Sequence, residues 1–528
     1  MTEVQRSGSS AYVVGGGIAA LASAVYLIRE GGLPGENIQV FEQGRVTGGA
    51  LDGSGSPQDG YLIRGGRMME SHFVCTWDLL SRIPSLDDPH ITVKDECDEF
   101  NRRFVSGSRC RLLRDGEKVD VSSYGLSNRD SFDMLKLIFR SEESLADTRI
   151  MDCFAPGFFE TNFWFLWQTT FAFQTWSGAA EMRRYFLRFI HLLPGFNQLK
   201  GILRTVYNQY DSVILPIETW LKDRGVKFRL QTCVTDIEFD LRSERKTATA
   251  IRYVEGGQEH RGEVESGDYV FITNGSMVES SSTGSMTSAP VLGTKGDAGA
   301  WALWERIAEK SPDFGRPSTF CDHVDLSKWE SFTVTLEDAK FFDFMETFTG
   351  NIAGTGGLVT FTNSNWLMSV VLAHQPHFRG QPEHVHVFWG YGLSPDKRGD
   401  RVNKKMSECT GAEIIQELCH HLKITDKEGE YFAGANCIPC MMPFIDSQFL
   451  PRKPGDRPHV VPDGATNFAF IGQFAELPDD CVFTVEYSVR TAQTAVFSLL
   501  GLDKQVTPIY QGHHDIHVLI DALSATRG

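Results

Sequence analysis

The run Tyr12-Val13-Val14-Gly15-Gly16-Gly17-Ile18-Ala19-Ala20 constrains this chain more than any other segment. It reads as a buried strand, a glycine turn and the start of a helix that runs to about Glu30, after which Ile38-Gln39-Val40-Phe41-Glu42 reads as a second strand closed by an acid. Gly15 permits the tight turn, Gly17 lets the main chain approach a pyrophosphate, and small Ala20 lets the helix pack closely on the strand, with Ala19 beside it a further cofactor candidate. The free N–H groups at the helix start bind phosphate. Glu42 ends the second strand, where a carboxylate can accept hydrogen bonds from ribose hydroxyls, so an ADP-containing dinucleotide is the leading ligand. A lone glycine turn joins many strands and helices that bind nothing; the flanking strands and Glu42 single this one out.

FAD is favoured over NAD by the continuation Gly44-Arg45-Val46-Thr47-Gly48-Gly49, which is similar to the RxxGG segment of flavin enzymes of the amine-oxidase and dissociation-inhibitor type. Arg45 and Gly49 therefore join the cofactor candidates, as do Gly65, Gly66 and Arg67 a little further on. The chain returns to strands over 226–275, placing Val234, Asn274, Gly275 and Ser276 beneath the dinucleotide. It returns once more at Phe468–Gln473, a strand ending in Gly472 and Gln473, followed by a helix from Thr484 to Leu500 whose N-terminus faces the cofactor.

With 528 residues the chain exceeds what one core organises. The expected fold is α/β: a discontinuous Rossmann-like FAD-binding domain (11–70, 226–299 and 460–505), a mainly helical substrate-tunnel region (71–225), a sheet-containing substrate and cap domain (300–459), and a C-terminal tail (506–528). The Ser, Thr and Gly-rich stretch from Glu279 to Gly299 reads as a surface loop or lid. A net charge of −17 disfavours nonspecific binding to nucleic acid or anionic lipid. No apolar run approaches the ~18 residues of a membrane span and no signal segment opens the chain, so a soluble, cytoplasmic protein is expected. Eleven scattered cysteines fit reduced thiols. Cys437-Ile438-Pro439-Cys440 lacks the second pair that zinc needs and reads as two buried free thiols, and no metal is expected.

The segment Phe158 to Phe173 is densely aromatic within a helical run reaching Leu193. Aromatic stripes at helical spacing pack inward. Rigid rings also suit the wall of a long apolar tunnel, and one helix can serve both purposes on opposite faces.

The motifs Arg64-Gly65-Gly66-Arg67-Met68-Met69-Glu70-Ser71-His72-Phe73, Ala180–Tyr185, Tyr207-Asn208-Gln209-Tyr210, Asn365-Trp366-Leu367-Met368 and Gln375-Pro376-His377-Phe378, with the aromatic segment, resemble the oleate hydratase (myosin-cross-reactive antigen) family from about residue 11 to 500. The resemblance implies an FAD enzyme, active with reduced flavin, that adds water to the cis-9 double bond of an unsaturated long-chain fatty acid without net redox change. It makes Tyr185 the acid that protonates the alkene, Gln209 a residue lining the site, and His377 a neighbour of the fatty-acid carboxylate.

Two departures stand out. Family members carry a glutamate, the water-activating base, where this chain has Met68, and a thioether cannot take a proton from water. The threonine and asparagine that bind the carboxylate in the family are Val371 and Ala373 here, with His374 replacing an arginine. Water activation then falls to main-chain carbonyls, Glu70, Glu476 or Asp479, and carboxylate binding to His374, His377 or a nearby arginine. Arg183 and Arg184 are placed to lower the Tyr185 phenol. A flavin oxidoreductase or isomerase, and a lipid-binding flavoprotein without catalysis, are the competing readings. A monomer is favoured over a dimer, with peripheral membrane contact at the substrate's source.

Overall fold

The computed structural model describes residues 8–242, 244–296 and 298–527. Its organising element is a five-stranded parallel sheet made of β1 (Ala11–Val14), β2 (Ile38–Glu42), β3 (Lys227–Leu230), β4 (Tyr269–Thr273) and β5 (Phe468–Ile471). These lie in the order β5-β4-β1-β2-β3. The strand order therefore reverses between β1 and β4, and the crevice beyond the carboxyl ends of those two strands is where a doubly wound sheet receives its ligand.

Strands buried on both faces need apolar side chains throughout, and Val13, Val40, Val270 and Phe271 are fully buried. Helix α1 (Ile18–Arg29) lies over the sheet and packs against α4 (Val485–Leu499). Ala20, Ala22 and Ala24 keep the backbones close, while Leu21, Val25 and Leu27 each contribute about 1.5–3 kcal/mol by complete burial.

A second sheet has eight strands, in the order Ser282–Thr283, Asn436–Met442, Trp329–Leu336, His386–Gly392, Met368–Val371, Leu358–Phe361, Leu112–Arg114 and Glu117–Lys118. Leu112–Arg114 comes from the stretch expected to be helical, and it pairs in parallel with Leu358–Phe361. Ser282–Thr283, from the expected surface loop, is the opposite edge. Alternation along Trp329–Leu336 turns Phe332, Val334 and Leu336 into a separate apolar core with Phe341, Phe388 and Leu418. The other face takes up the hairpin Gly53–Ser56/Gly60–Ile63: Thr333 Oγ1 accepts from the Ile63 N–H at 3.1 Å and Thr335 Oγ1 from the Tyr61 N–H at 2.8 Å. These bonds bring the loop after Ile63 against the second sheet.

The aromatic run is two helices rather than one. α2 (Asn162–Phe171) ends at Ala172, which adopts a left-handed φ of 64°, and α3 (Ala179–Phe189) follows after a turn. The C-terminal stretch carries a helix, Ile516–Arg527, packed against Ile190–Gln198. Cys437 and Cys440 are buried and free. Among the described residues no helix is long and apolar enough to cross a membrane.

Candidate active site

A cleft of about 640 Å³ opens at the carboxyl ends of β1 and β4. Gly15, Gly17, Ala19, Glu42, Arg45, Gly49, Arg67, Val234, Asn274, Gly275, Ser276, Gly472, Gln473 and Thr484 all line it. Gly15 has φ +98°, and a Cβ there would sit 2.9 Å from Thr273 Oγ1, so both the backbone and the space demand glycine. A Cβ on Gly17 would meet no atom within 4 Å, so it would project into the cleft and obstruct the approach of a ligand. Helix α1 begins with no side-chain cap and no acid in its first turn, which leaves its N–H groups to a phosphate. Thr273 Oγ1 and both polar atoms of the Asn274 amide are buried without partners. Open N–H groups, glycine-cleared floor and unmet side-chain polar atoms together fit a dinucleotide.

Ala20, Gly65 and Gly66 do not line this cleft, whereas Glu42 lines it with each carboxylate oxygen already accepting one main-chain N–H. Ala20 is buried in the body of α1 and does not reach the cleft. Glu42 lines the cleft, but its carboxylate is occupied by main chain: Oε2 accepts from the Gly16 N–H at 2.7 Å and Oε1 from the Gly44 N–H at 2.5 Å. It therefore braces the glycine loop from beneath.

A second, largely apolar cavity of about 120 Å³ adjoins the first, and Leu51, Asp52, Arg67 and Phe483 belong to the walls of both. Gly65 and Gly66 line this second cavity and not the dinucleotide cleft, because the hairpin bonds to Thr333 and Thr335 carry their loop toward the second sheet. Arg67 stands at the junction, 4.9 Å above the Phe483 ring, and burial brings its guanidinium down to about 10. It remains the cation at the meeting point.

Met68, Gln209, Val371, Ala373, His374 and His377 all line the apolar cavity. Gln209 Nε2 donates to the Arg67 carbonyl at 2.7 Å, while its Oε1 is buried without a partner. His377 is drawn down to about 4 by burial and by neighbouring His374, so it is neutral at pH 7 and acts as a hydrogen-bonding group, not a cation. Burial also lowers His374, with Arg103 adding to the effect.

Tyr185 is outside this set. Its ring is packed among Phe171, Phe173, Phe189 and Phe449, and its hydroxyl donates to the Val482 carbonyl at 2.6 Å, just behind the Phe483 wall. Burial raises the phenol well above 10, and nearby acidic groups add to it. The expected help from Arg184 is absent because that guanidinium is held by Glu142 at 2.6 Å and Glu476 at 2.5 Å.

The carboxylates considered for water activation are engaged elsewhere. Glu70 bonds Arg188 at 3.1 Å and His72 at 2.9 Å and reaches neither cavity. Burial opposes its charge, but contacts with His191 and Arg188 hold it at about 2. Glu476 lies among Arg184, Arg452 and Arg457, and Asp479 is exposed.

Arg204, not singled out from the sequence, faces the His374 end of the apolar cavity beside Thr205 and Tyr207. It forms no ion pair among the described residues; one nitrogen bonds Ser106 Oγ, and Nη2 is sealed from solvent with no partner. Burial lowers it to about 10, so it keeps its charge at pH 7. Its signal in the sequence is a lone arginine in an apolar stretch, Ile202-Leu203-Arg204, just before the Tyr207-Asn208-Gln209 motif.

The chain is 41% identical to the oleate hydratase of Streptococcus pyogenes serotype M49 (strain NZ131), covering 97% of this chain and 89% of that one. It is 34% identical to the linoleate hydratase of Lactiplantibacillus plantarum over 94% of each. A putrescine oxidase bound to putrescine shares the fold with a TM-score of 0.52 at 12% identity, across 93% of this chain and 99% of that one. An oxidoreductase from Methanosarcina mazei does so at 0.50, also at 12% identity, across 92% and 99%. The model of the MCRA family matches residues 8–497, and with relatives of this identity across nearly the whole length, the chain belongs to the MCRA family.

Proposed function

We propose that this protein adds water to the cis double bond of an unsaturated long-chain fatty acid, with FAD in the glycine-lined cleft and the hydrocarbon chain in the adjoining apolar cavity. The observation that carries this is the shared wall: Leu51, Asp52, Arg67 and Phe483 line both spaces, so a flavin held in one would adjoin a hydrocarbon chain held in the other. Identity to an oleate and a linoleate hydratase supports the substrate class.

Two sets of the apolar cavity's lining residues carry the chemistry in this reading. Arg204, Tyr207, His374 and His377 form one, where a carboxylate meets a guanidinium that lacks any other acidic partner. Arg67, Met68, Trp389, Tyr391 and Phe483 form the other. FAD, when bound and reduced, supplies an electron-rich face beside which positive charge on carbon is tolerated. Electron-rich rings of Trp389, Tyr391 and Phe483 act in the same sense.

Tyr185 is the acid in this reading. Its hydroxyl is bonded to the residue before Phe483, and Phe483 holds a left-handed φ of 70° that a bulky side chain rarely adopts. The protein is further read as a cytoplasmic monomer that meets its fatty acid at a membrane surface; light scattering and vesicle sedimentation test those two points.

The deciding experiment is incubation of the FAD-loaded, reduced protein with oleate or linoleate in ¹⁸O-labelled water, followed by mass spectrometry. A hydroxy acid bearing solvent oxygen is expected, without oxygen uptake, and Tyr185→Phe is expected to abolish it. Oxygen uptake with an unlabelled product would identify an oxidoreductase instead.

A further inference from the structure

Outside both cavities, Glu70, His72 and His191 converge where the strand Met69–Glu70 meets the helix Ile190–Gln198. His72 Nδ1 is 2.9 Å from Glu70 Oε2, His191 Nε2 is 3.5 Å from the same oxygen, and all three atoms lie within 4.8 Å of one another. The two measured separations fall on either side of about 3.4 Å, the spacing of neighbouring ligand atoms around a tetrahedral zinc ion with bonds of about 2.1 Å. His191 is incompletely satisfied as it stands. Its side chain is 12% exposed, and both ring nitrogens are sealed from solvent with no hydrogen-bond partner among the described residues. A neutral imidazole has one donor and one acceptor to place, and leaving both buried and unmet is costly. A cation at Nε2 answers one of them.

The Glu70 carboxylate is divided to suit an ion. Oε1 faces Arg188 Nη1 at 3.1 Å, while Oε2 faces both imidazoles and accepts one main-chain N–H, that of His72, at 2.8 Å. Asp480 stands 3.5 Å from Arg188 Nε, so the guanidinium charge does not fall on Glu70 alone. Tyr510 closes the group: its ring stacks on His72 at 3.8 Å and 12°, and meets His191 edge-on at 5.0 Å and 89°. The His72 side chain stays 33% exposed, an entry path for an ion and for the water that completes its shell. Two other groupings of ligand-type side chains lack this opening. Lys295 already sits at Glu305, Cys321 and Asp322, 3.0 Å from Asp322 Oδ1. Beside Asp400 and His421, the Glu417 carboxylate is taken by the N–H groups of Asp400, Arg401 and Val402 at 2.6, 3.0 and 2.9 Å.

We propose that Glu70, His72 and His191 bind one divalent transition-metal ion of the zinc class, with water as the fourth ligand, and that the ion ties the C-terminal segment to the core. Two imidazoles and a carboxylate suit zinc, whereas magnesium and calcium take oxygen ligands. The ion joins the turn after Met69–Glu70 to the helix Ile190–Gln198 and, through Tyr510, to the segment leading into Ile516–Arg527, which packs on that same helix. Met69–Glu70 also pairs with Ile202–Leu203, so the cavity residues Met68 and Arg204 flank the pair that the ion anchors. The expectation of no metal rested on the lone pair Cys437 and Cys440; His191 reaches Glu70 and His72 only in the fold. The site stands apart from the hydratase reading, because ion binding is measured without turnover.

The test titrates the untagged full-length chain, first stripped with chelator, with zinc by calorimetry, beside His72→Ala, His191→Ala and the pair Cys437→Ser/Cys440→Ser. One zinc per chain is expected in wild type and in the cysteine variant, with a melting temperature that rises with zinc concentration. Either histidine variant is expected to weaken binding by at least about 100-fold, the upper end of what loss of an outer-shell partner costs. X-ray absorption at the zinc edge is expected to show nitrogen and oxygen at about 2.0–2.2 Å and no sulfur at about 2.3 Å, which separates this site from the buried thiols. Zinc is also expected to protect the segment before Ile516 from limited proteolysis in wild type and not in His191→Ala. His72→Ala, at a partly exposed side chain, covers the case in which His191→Ala does not fold. A wild type that takes up no zinc, an affinity unchanged in His72→Ala, or a sulfur shell overturns the site. Zinc bound without protection of that segment overturns the C-terminal tie alone.

Discussion

Gln209 donates from Nε2 to the carbonyl oxygen of Arg67 at 2.7 Å, tying the loop that carries Gly65, Gly66 and Met68 to the opposite wall of the apolar cavity. The same side chain leaves Oε1 open. One residue thus fixes the junction wall and presents an acceptor beside it.

Gln209→Leu keeps the volume and removes both functions. Loss of a net hydrogen bond of about 0.5–1.5 kcal/mol lowers kcat by up to about tenfold. Oleate KM is expected to hold, because the carboxylate end of the cavity is untouched; steady-state kinetics separate the two.

Arg204→Met removes a cation that lines the apolar cavity together with His374 and His377. A hydrogen bond to a charged group is worth about 1.5–3 kcal/mol, so oleate KM rises about 10- to 100-fold with kcat little changed. Methyl oleate, which carries no carboxylate, shows no such dependence. The melting temperature of the ligand-free protein holds or rises, since a buried charge without an ion-pair partner has been removed.

Gly15→Ala strains a φ of +98° and brings a Cβ to 2.9 Å from Thr273 Oγ1. The cost is about 1–3 kcal/mol, and it falls on the loop that approaches the dinucleotide. Weaker FAD binding is expected in a flavin fluorescence titration, together with a lower melting temperature of the apoprotein.

Glu330→Gln tests the buried, unpartnered carboxyl of the second core. Burial alone raises Glu330 well above its ordinary value, so the folded protein retains a proton that the unfolded chain releases. Its cost to stability is absent below the unfolded pKa of about 4.3 and grows as pH rises toward the folded value. Denaturant unfolding should show the variant gaining on wild type as pH rises above the unfolded glutamate's pKa of about 4.3, with no further pH-dependent difference below it.

Much of the cofactor cleft was legible in the sequence because it is built from local rules. Gly15 is required by its own φ, and the return strands after 226 and at Phe468 declare themselves by apolar runs ending in glycine or asparagine. The placement of Gly65 and Gly66 was not legible: it depends on hairpin bonds to Thr333 and Thr335, some 270 residues away. Tyr185 was recognisable by motif, yet nothing in Arg183-Arg184-Tyr185 reveals that Arg184 is held by Glu142 and Glu476 and gives the phenol no help.

The sequence alone determined a parallel α/β sheet with a phosphate-ready glycine turn, and the side-chain types available for hydration, because strand period, turn glycine and functional group are properties of neighbours in the chain. Tertiary structure decided which of those groups are free to react. Glu70 is held by Arg188 and His72, while Asp446 is buried with no hydrogen-bond partner and Arg204 lines an apolar cavity with Nη2 unpartnered, among the described residues. A carboxylate's reactivity is set by the charges and hydrogen bonds around it, and those come from segments that only the folded chain brings together.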